Sequence, residues 1–133
     1  MLRRKCSKCG LNRAENFFQS PKARVCERCK RLGRSRATKN ARLSDTYEIT
    51  MEDYDLLLEH QQGRCAICRG KRAIYDVDHD HRLEREGVPM RQCVRGLLCR
   101  RCNRRLLPAA LDKEAVLHNA IEYLRSPPAR DVL

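Results

Sequence analysis

Cys65-Ala66-Ile67-Cys68 and Cys99-Arg100-Arg101-Cys102 are the two short stretches that decide the fold of this chain, and Asn103 directly follows the second. Each is a Cys-x-x-Cys pair, and thirty residues separate the two pairs. Four thiolates at this spacing are typical of a closed tetrahedral zinc site, which has no water ligand and therefore a structural role only. We predict such a site from Cys65, Cys68, Cys99 and Cys102.

The insert between these pairs carries groups suited to catalysis, in the run Asp78-His79-Asp80-His81. The carboxylate of Asp78 is a hard oxygen ligand suited to Mg²⁺, and the imidazole of His79 can act as a base near neutral pH. Asn103 offers an amide oxygen whose position is fixed by the neighbouring zinc ligand. Two roles stay open for His81, a phosphate or metal-water contact and a purely structural one.

A second set of cysteines lies upstream, in Cys6-Ser7-Lys8-Cys9 and Cys26-Glu27-Arg28-Cys29. The alternative to a second zinc ion is a set of disulfides, but the short basic start of the chain is no secretion signal, so a reducing cytoplasm is expected. We therefore predict a second structural zinc site from Cys6, Cys9, Cys26 and Cys29. The ninth cysteine, Cys93, is expected to be a small buried hydrophobic residue.

Composition limits how the chain can fold. Only 5% of the 133 residues are aromatic and 35% are charged, and no segment is apolar enough to span a membrane. Modules with so little apolar surface need additional stabilisation, and a structural zinc contributes on the order of 10 kcal/mol at neutral pH. The prediction is a small α+β protein stabilised by zinc, with a basic zinc module and linker helix at 1–45, a second zinc domain at 46–126 and a tail at 127–133.

Positive charge is concentrated at the N-terminus. Residues 1–45 contain fourteen Lys and Arg against three Asp and Glu, a net charge of +11, whereas the remaining residues have a net charge of +1. A nucleic acid is the usual partner of a basic zinc module, although a charged surface can also be simply solvated. We predict that DNA contacts a stripe on a helix over residues 30–43, formed by Lys30, Arg31, Arg34, Arg36, Lys39 and Arg42.

Local signals predict the remaining elements. Thr50 and Asp53 form a capping box that starts a helix, and Phe17 and Phe18 are expected to fill the core of the first module. Strands are predicted at 73–77 and about 92–98, and Pro108 is expected to break the helix that contains Asn103. Asp112 is predicted to cap a final amphipathic helix.

Residues 50–107 resemble the phage recombination endonuclease VII family, a branch of the HNH nucleases, also known as ββα-metal or His-Me finger nucleases. The resemblance rests on the two cysteine pairs, on Val77-Asp78-His79-Asp80-His81, and on Val94-Arg95-Gly96-Leu97-Leu98 leading into Cys99. It implies that the four cysteines hold structural zinc, that Asp78 and Asn103 hold a catalytic Mg²⁺ or Mn²⁺, and that His79 is the general base.

The function predicted from these residues is hydrolysis of DNA phosphodiester bonds, by nicking or double-strand cleavage and with a selectivity that could extend to branched DNA. His79 would take a proton from the attacking water, and the metal would neutralise charge on the phosphate. Arg95 and Arg104 have the guanidinium geometry of phosphate contacts. The alternative is a non-catalytic zinc-ribbon protein that binds nucleic acid. We expect a cytoplasmic protein of a bacterium or a phage-infected cell, which could also form a homodimer.

Overall fold

The computed structural model describes residues 2–133 and shows a small α+β protein, as predicted. These residues fall into two compact units, the first ending at Tyr54 and the second running from Asp55 to Leu133. Each unit contains one two-stranded antiparallel sheet and one of the four-cysteine clusters. Neither sheet is large enough to be stable by itself, so the cysteine clusters take the place of an extended apolar core.

The first unit begins with a hairpin of β1 (Arg3–Lys5) and β2 (Asn12–Ala14). Gly10 has a φ of 70° in the turn between these strands, a value that glycine adopts without strain. A 3-10 helix, Glu15–Phe17, follows. Phe18 is buried with the cysteines, whereas Phe17 is 48% exposed, so the prediction that both rings fill the core is wrong for Phe17.

The helix α1 (Glu27–Tyr47) is longer than the predicted 30–43 because it begins inside the second cysteine pair of this unit. It ends where Glu48 adopts the left-handed conformation and its amide donates to the carbonyl oxygens of Leu43 and Ser44. The next helix, α2 (Met51–His60), starts with the predicted capping box. The Asp53 amide donates to Thr50 Oγ1 at 3.1 Å, and the Thr50 amide donates to Asp53 Oδ2 at 2.9 Å.

In the second unit, β3 (Asp76–His79) pairs with β4 (Val94–Leu98), and a β-bulge lies between Asp78 and His79. Both strands start later than predicted. Residues before β3 are held by Tyr75, whose hydroxyl donates to the carbonyl oxygen of Gly63 at 2.7 Å. Before β4, where a strand was expected from 92, the chain forms the short helix α4 (Met90–Cys93); α3 (His81–Arg85) lies between the strands.

The helical segment after β4 holds Asn103. It contains a π-helical stretch, Cys102–Leu106, followed by α5 (Leu107–Ala109). Pro108 does not break the helix where predicted, because the π-helical turn preceding it accommodates a residue without an amide donor. Cys93 is buried, with its thiol 3.4 Å from the carbonyl oxygen of Val88, as expected for a small hydrophobic residue.

The last helices are α6 (Glu114–Arg125) and α7 (Ala129–Val132). The prediction that Asp112 caps α6 is wrong: the N-cap is Lys113, and the Asp112 carboxylate instead lies 3.6 Å from the Arg95 guanidinium. Within residues 2–133, no helix combines the length and the apolar character that a bilayer span requires.

Gln61 fixes the position of β4 through two hydrogen bonds to Leu97, and a third bond joins it to Arg64. Its side-chain amide nitrogen donates to the carbonyl oxygens of Leu97 at 2.8 Å and Arg64 at 2.9 Å, and its oxygen accepts from the Leu97 amide at 2.9 Å. Leu97 is fully buried, so no water can replace these bonds. Gly96 lies so close that a Cβ atom there would come within 3.2 Å of Gln61 Oε1.

We expect Gln61→Ala to lower the free energy of unfolding by about 1–3 kcal/mol, because it removes the acceptor of the buried Leu97 amide, whereas the Leu97 carbonyl oxygen keeps its hydrogen bond from the Ala66 amide. Glu59→Ala, at an exposed position near the end of α2, is the control and should have little effect. Denaturant titration of the zinc-loaded proteins measures both. Equal midpoints for the two variants would show that Gln61 does not fix β4.

Candidate active site and metal centres

The thiols of Cys6, Cys9, Cys26 and Cys29 converge in the first unit, and all four are free. The Sγ atoms of Cys6 and Cys29 are 3.9 Å apart. A disulfide would bring two sulfurs to about 2.05 Å, whereas tetrahedral Zn–S bonds of about 2.3 Å place them roughly 3.8 Å apart. This cluster therefore fits a zinc ion.

The second cluster contains Cys65, Cys68, Cys99 and Cys102, again as free thiols. The Sγ atoms of Cys68 and Cys99 are 3.7 Å apart, which is also the separation expected across a tetrahedral zinc ion. The amide of Cys99 donates to Cys65 Sγ at 3.3 Å, a bond that favours the thiolate. The two clusters that the sequence predicts are thus both present and both could hold zinc.

Thiol acidity differs within the clusters. The Cys26 amide is the main cause that lowers the pKa of Cys6 to about 6. For Cys65, burial acts in the opposite direction, but amide hydrogen bonds led by that of Cys99 outweigh it and bring the pKa to about 6. Burial raises the pKa of Cys29 and of Cys102 to about 12. Without metal, each cluster therefore keeps at least one protonated thiol at neutral pH.

Asp78 is buried and is held by Arg95. The Arg95 Nε donates to Asp78 Oδ2 at 2.7 Å, and the second guanidinium nitrogen donates to Oδ1 at 3.0 Å. This bidentate pair raises the pKa of Arg95 above its ordinary value. In this structure the guanidinium group therefore supplies the positive charge that the buried carboxylate requires.

Asn103 lies in the first turn of the π-helical stretch, next to a cysteine of the second cluster. Its Nδ2 donates to Asp76 Oδ2 at 3.3 Å, and Arg104 Nε donates to the same oxygen at 2.9 Å. This arrangement turns the Asn103 nitrogen toward β3. A role for Asp76 in the site was not predicted. In the structure, its carboxylate accepts hydrogen bonds from two candidate site residues, Asn103 and Arg104.

One pocket of about 850 Å³ brings several predicted site residues together. The candidate site residues that line it are Asp78, His81, Arg95 and Asn103. Among residues 2–133, His79 is not one of the residues that line this pocket. The pocket thus contains both predicted Mg²⁺ ligands together with His81 and Arg95.

His79 contacts a residue that the sequence did not single out. Its Nε2 lies 2.9 Å from Glu84 Oε2, and His81 Nδ1 lies 3.5 Å from the same oxygen. The two imidazole rings meet edge to face with centroids 4.4 Å apart. The hydrogen bond with His79 is the main cause that lowers the pKa of Glu84. The i, i+3 spacing of His81 and Glu84 could have predicted this contact, but only if a helix starting at His81 had also been predicted.

The predicted DNA-binding residues of α1 do not form a narrow stripe. At about 100° per residue, the six positions spread over roughly 240° of the helix surface. Lys30 donates to Gln19 Oε1 at 2.7 Å, Arg36 lies 3.9 Å from Glu52, and Lys39 lies 3.7 Å from the ring centroid of Tyr54. The exposed members that share an arc of about 80° are Arg31, Arg34 and Arg42.

The sequence profile described as recombination endonuclease VII matches residues 40–126. The chain belongs to the recombination endonuclease VII family. This confirms the resemblance noted from the sequence, and membership implies a nuclease that acts on DNA. The matched range includes the second cysteine cluster and the pocket that Asp78 and Asn103 line.

Two phage proteins are similar to this chain over most of its length. The Gene 59 protein of Mycobacterium phage D29 is 40% identical over 119 residues, which cover 87% of this chain and 67% of the relative. The Gene 59 protein of Mycobacterium phage L5 is 39% identical over 119 residues, covering 87% and 68%. No solved structure matches the chain.

We expect the purified protein to retain two zinc ions per chain after mild EDTA treatment, because each closed four-thiolate site excludes competing ligands. Zinc added to metal-free protein should release at least one proton per site, since the thiols of raised pKa must ionise to bind it. Elemental analysis measures the zinc content, and calorimetry in buffers of different ionisation enthalpy measures the proton release. A content of one zinc, or zinc binding without proton release, contradicts this account.

Proposed function

We propose that this chain is a DNA endonuclease of the HNH class that hydrolyses phosphodiester bonds with the aid of Mg²⁺ or Mn²⁺. The observation that carries the proposal is the shared pocket of Asp78 and Asn103, inside the region that matches the family. The order of elements supports it, because the antiparallel strands β3 and β4 precede the helical segment with Asn103, as in a ββα core, with α3 and α4 in the connection between the strands.

Asp78 and Asn103 are the residues that would hold the catalytic metal. A carboxylate and an amide oxygen form a hard donor set that suits Mg²⁺ and leaves most of its coordination sphere for water and phosphate. The Asn103 nitrogen is turned to Asp76, so its oxygen is the atom suited to a cation. When bound, the metal would stabilise negative charge on the phosphate and the leaving oxygen.

Arg95 has to change partner for this site to work. Its guanidinium group occupies both oxygens of Asp78, and it also lies 3.6 Å from Asp112. A cation that takes over Asp78 would release Arg95 beside the pocket, still close to Asp112. There the planar guanidinium group would be placed to contact a phosphate of the DNA.

His79 would act as the general base. Because Glu84 is ionised at neutral pH and accepts a hydrogen bond, it favours the tautomer with the proton on Nε2 of His79. Nδ1 is then the nitrogen that can take a proton from the attacking water. Glu84 is therefore a positioning residue in this proposal.

A group of arginines beside the candidate site supports DNA as the substrate. Arg104, already bound to Asp76, lines a second pocket of about 440 Å³. The other residues that line this pocket are Arg100, Arg101 and Arg105. Such a concentration of guanidinium groups suits the phosphates of a DNA backbone. A non-catalytic DNA-binding protein would account for these arginines, but not for the shared pocket of Asp78 and Asn103.

We expect His79→Ala to reduce nicking of supercoiled plasmid in Mg²⁺ or Mn²⁺ by about 10²-fold or more, because a general base contributes mainly to the transition state. DNA affinity and zinc content should stay nearly unchanged. His118→Ala, at an exposed position of α6, is the matched control and should cleave normally. Asp78→Asn should raise the Mg²⁺ concentration required for residual activity, and Asn103→Ala should do so less.

Cleavage by the His79→Ala protein at the wild-type rate, after contaminating nuclease is excluded, would contradict the mechanism and favour the non-catalytic alternative. Running the same assay on linear duplex and on four-way junction DNA tests whether the endonuclease selects branched substrates.

We expect DNA binding to depend on the exposed face of α1. Replacing Arg31, Arg34 and Arg42 with Gln should weaken duplex binding and reduce the slope of log K against log salt by up to about 3, since each phosphate contact contributes roughly 0.9. The control replaces Lys30, Arg36 and Lys39, which have partners within the protein. It removes the same charge and should reduce the slope less. Equal slopes for both triple variants would show that only net charge matters.

A further inference from the structure

We propose that His79, His81 and Glu84 form a third metal site, which takes zinc or a similar divalent transition ion rather than Mg²⁺ and blocks the nuclease when filled. The blocking effect rests on the proposed function, whereas the metal site does not. Neither four-cysteine cluster shares a residue with it, and neither does the Asp78 and Asn103 pair.

The geometry supports a common ligand for the three side chains. One ligand atom from each of them lies within 4.8 Å of the other two. The closest separations are 2.9 Å between His79 Nε2 and Glu84 Oε2, and 3.5 Å between His81 Nδ1 and the same oxygen. Zinc bonds of about 2.0–2.1 Å in a tetrahedral arrangement require roughly 3.3 Å between ligand atoms. Small side-chain rotations would therefore complete the site.

The backbone holds the three residues in place. Asp80 caps α3 by accepting from the amides of Arg82 at 2.8 Å and Leu83 at 3.1 Å, and its own amide donates to the carbonyl oxygen of Cys93 at 2.8 Å. The capped helix places His81 and Glu84 on one face, three residues apart. His79 precedes the cap, at the end of β3.

The donor set determines which ions would bind. Two imidazoles and one carboxylate match the ligands of zinc sites that keep an open position, whereas Mg²⁺ prefers oxygen ligands. The side chains are 18%, 55% and 45% exposed for His79, His81 and Glu84, so an ion from solution can reach them. The structure thus contains two donor sets of different chemistry on neighbouring residues.

Occupation of this site by a metal ion would prevent His79 from acting as the general base. A metal on Nε2 of His79 replaces the proton there, so the neutral ring must carry its proton on Nδ1. Nδ1 is the nitrogen that would accept the proton from water in the proposed mechanism, and it would then have no lone pair to offer. Zinc would therefore inhibit cleavage without competing for Asp78 or Asn103.

Equilibrium dialysis of the zinc-loaded full chain against a zinc series tests the site. We expect the wild type to rise from two to three zinc ions per chain. In Glu84→Gln and His81→Ala, the third ion should bind at least about 10-fold more weakly, since even the loss of a supporting residue costs about 10–100-fold. Glu86→Gln, an exposed glutamate just beyond α3, is the matched control and should bind three.

Plasmid nicking in Mg²⁺ with added zinc, expressed relative to the rate of each variant in Mg²⁺ alone, tests the blocking effect. The wild type and Glu86→Gln should lose activity as the third ion binds, and Glu84→Gln should resist at the same zinc concentration. A wild type that never exceeds two zinc ions, or a third ion that Glu84→Gln retains fully, overturns the inference. A third ion on a protein that cuts no DNA in Mg²⁺ or Mn²⁺ instead overturns the proposed function.

Discussion

The four thiols of Cys65, Cys68, Cys99 and Cys102 connect the two ends of the segment that carries the candidate active site. Cys65 Sγ accepts a hydrogen bond from the amide of Cys99, the residue that follows β4. This bond, in addition to the thiol cluster, attaches the Cys65–Cys68 pair to the end of β4. Asn103 follows the last thiol, and its place beside β3 depends on that attachment. With few aromatic residues and a two-stranded sheet, the unit depends strongly on this attachment.

Charge balance is the second constraint on the site. Asp78 is buried, and a buried carboxylate needs a nearby cation or strong hydrogen bonds. Arg95 supplies both in this structure, and the proposed metal would supply them during catalysis. Two cations that compete for one carboxylate would give the site two states. Asp112, 3.6 Å from the Arg95 guanidinium, would stabilise the second state by holding Arg95 once the metal occupies Asp78.

Features set by local sequence could be predicted, and those set by distant partners could not. The cysteine clusters and the Thr50 to Asp53 capping box were predictable because the spacing of a few residues determines them. Asp112 fails as a cap because its backbone is left-handed, with a φ of 52°, so that the N-cap falls on Lys113. Its carboxylate lies near Arg95, which is distant in sequence. Gln61 binds a backbone 36 residues away, and Glu84 depends on a helix that starts after a bulge. The role of Gln61 has no signal in the local pattern, and the i, i+3 spacing of His81 and Glu84 is informative only once a helix is known to start at His81. The catalytic roles of Asp78, His79 and Asn103 stay predictions.

A crystal structure of the full chain with Mn²⁺ and duplex DNA, with anomalous scattering recorded to locate the manganese, would test the central claim most directly. The account predicts manganese bound by Asp78 and by the amide oxygen of Asn103, with Arg95 displaced from the carboxylate and zinc in both cysteine clusters. Manganese elsewhere, with Arg95 still paired to Asp78 while DNA occupies the pocket, would contradict it.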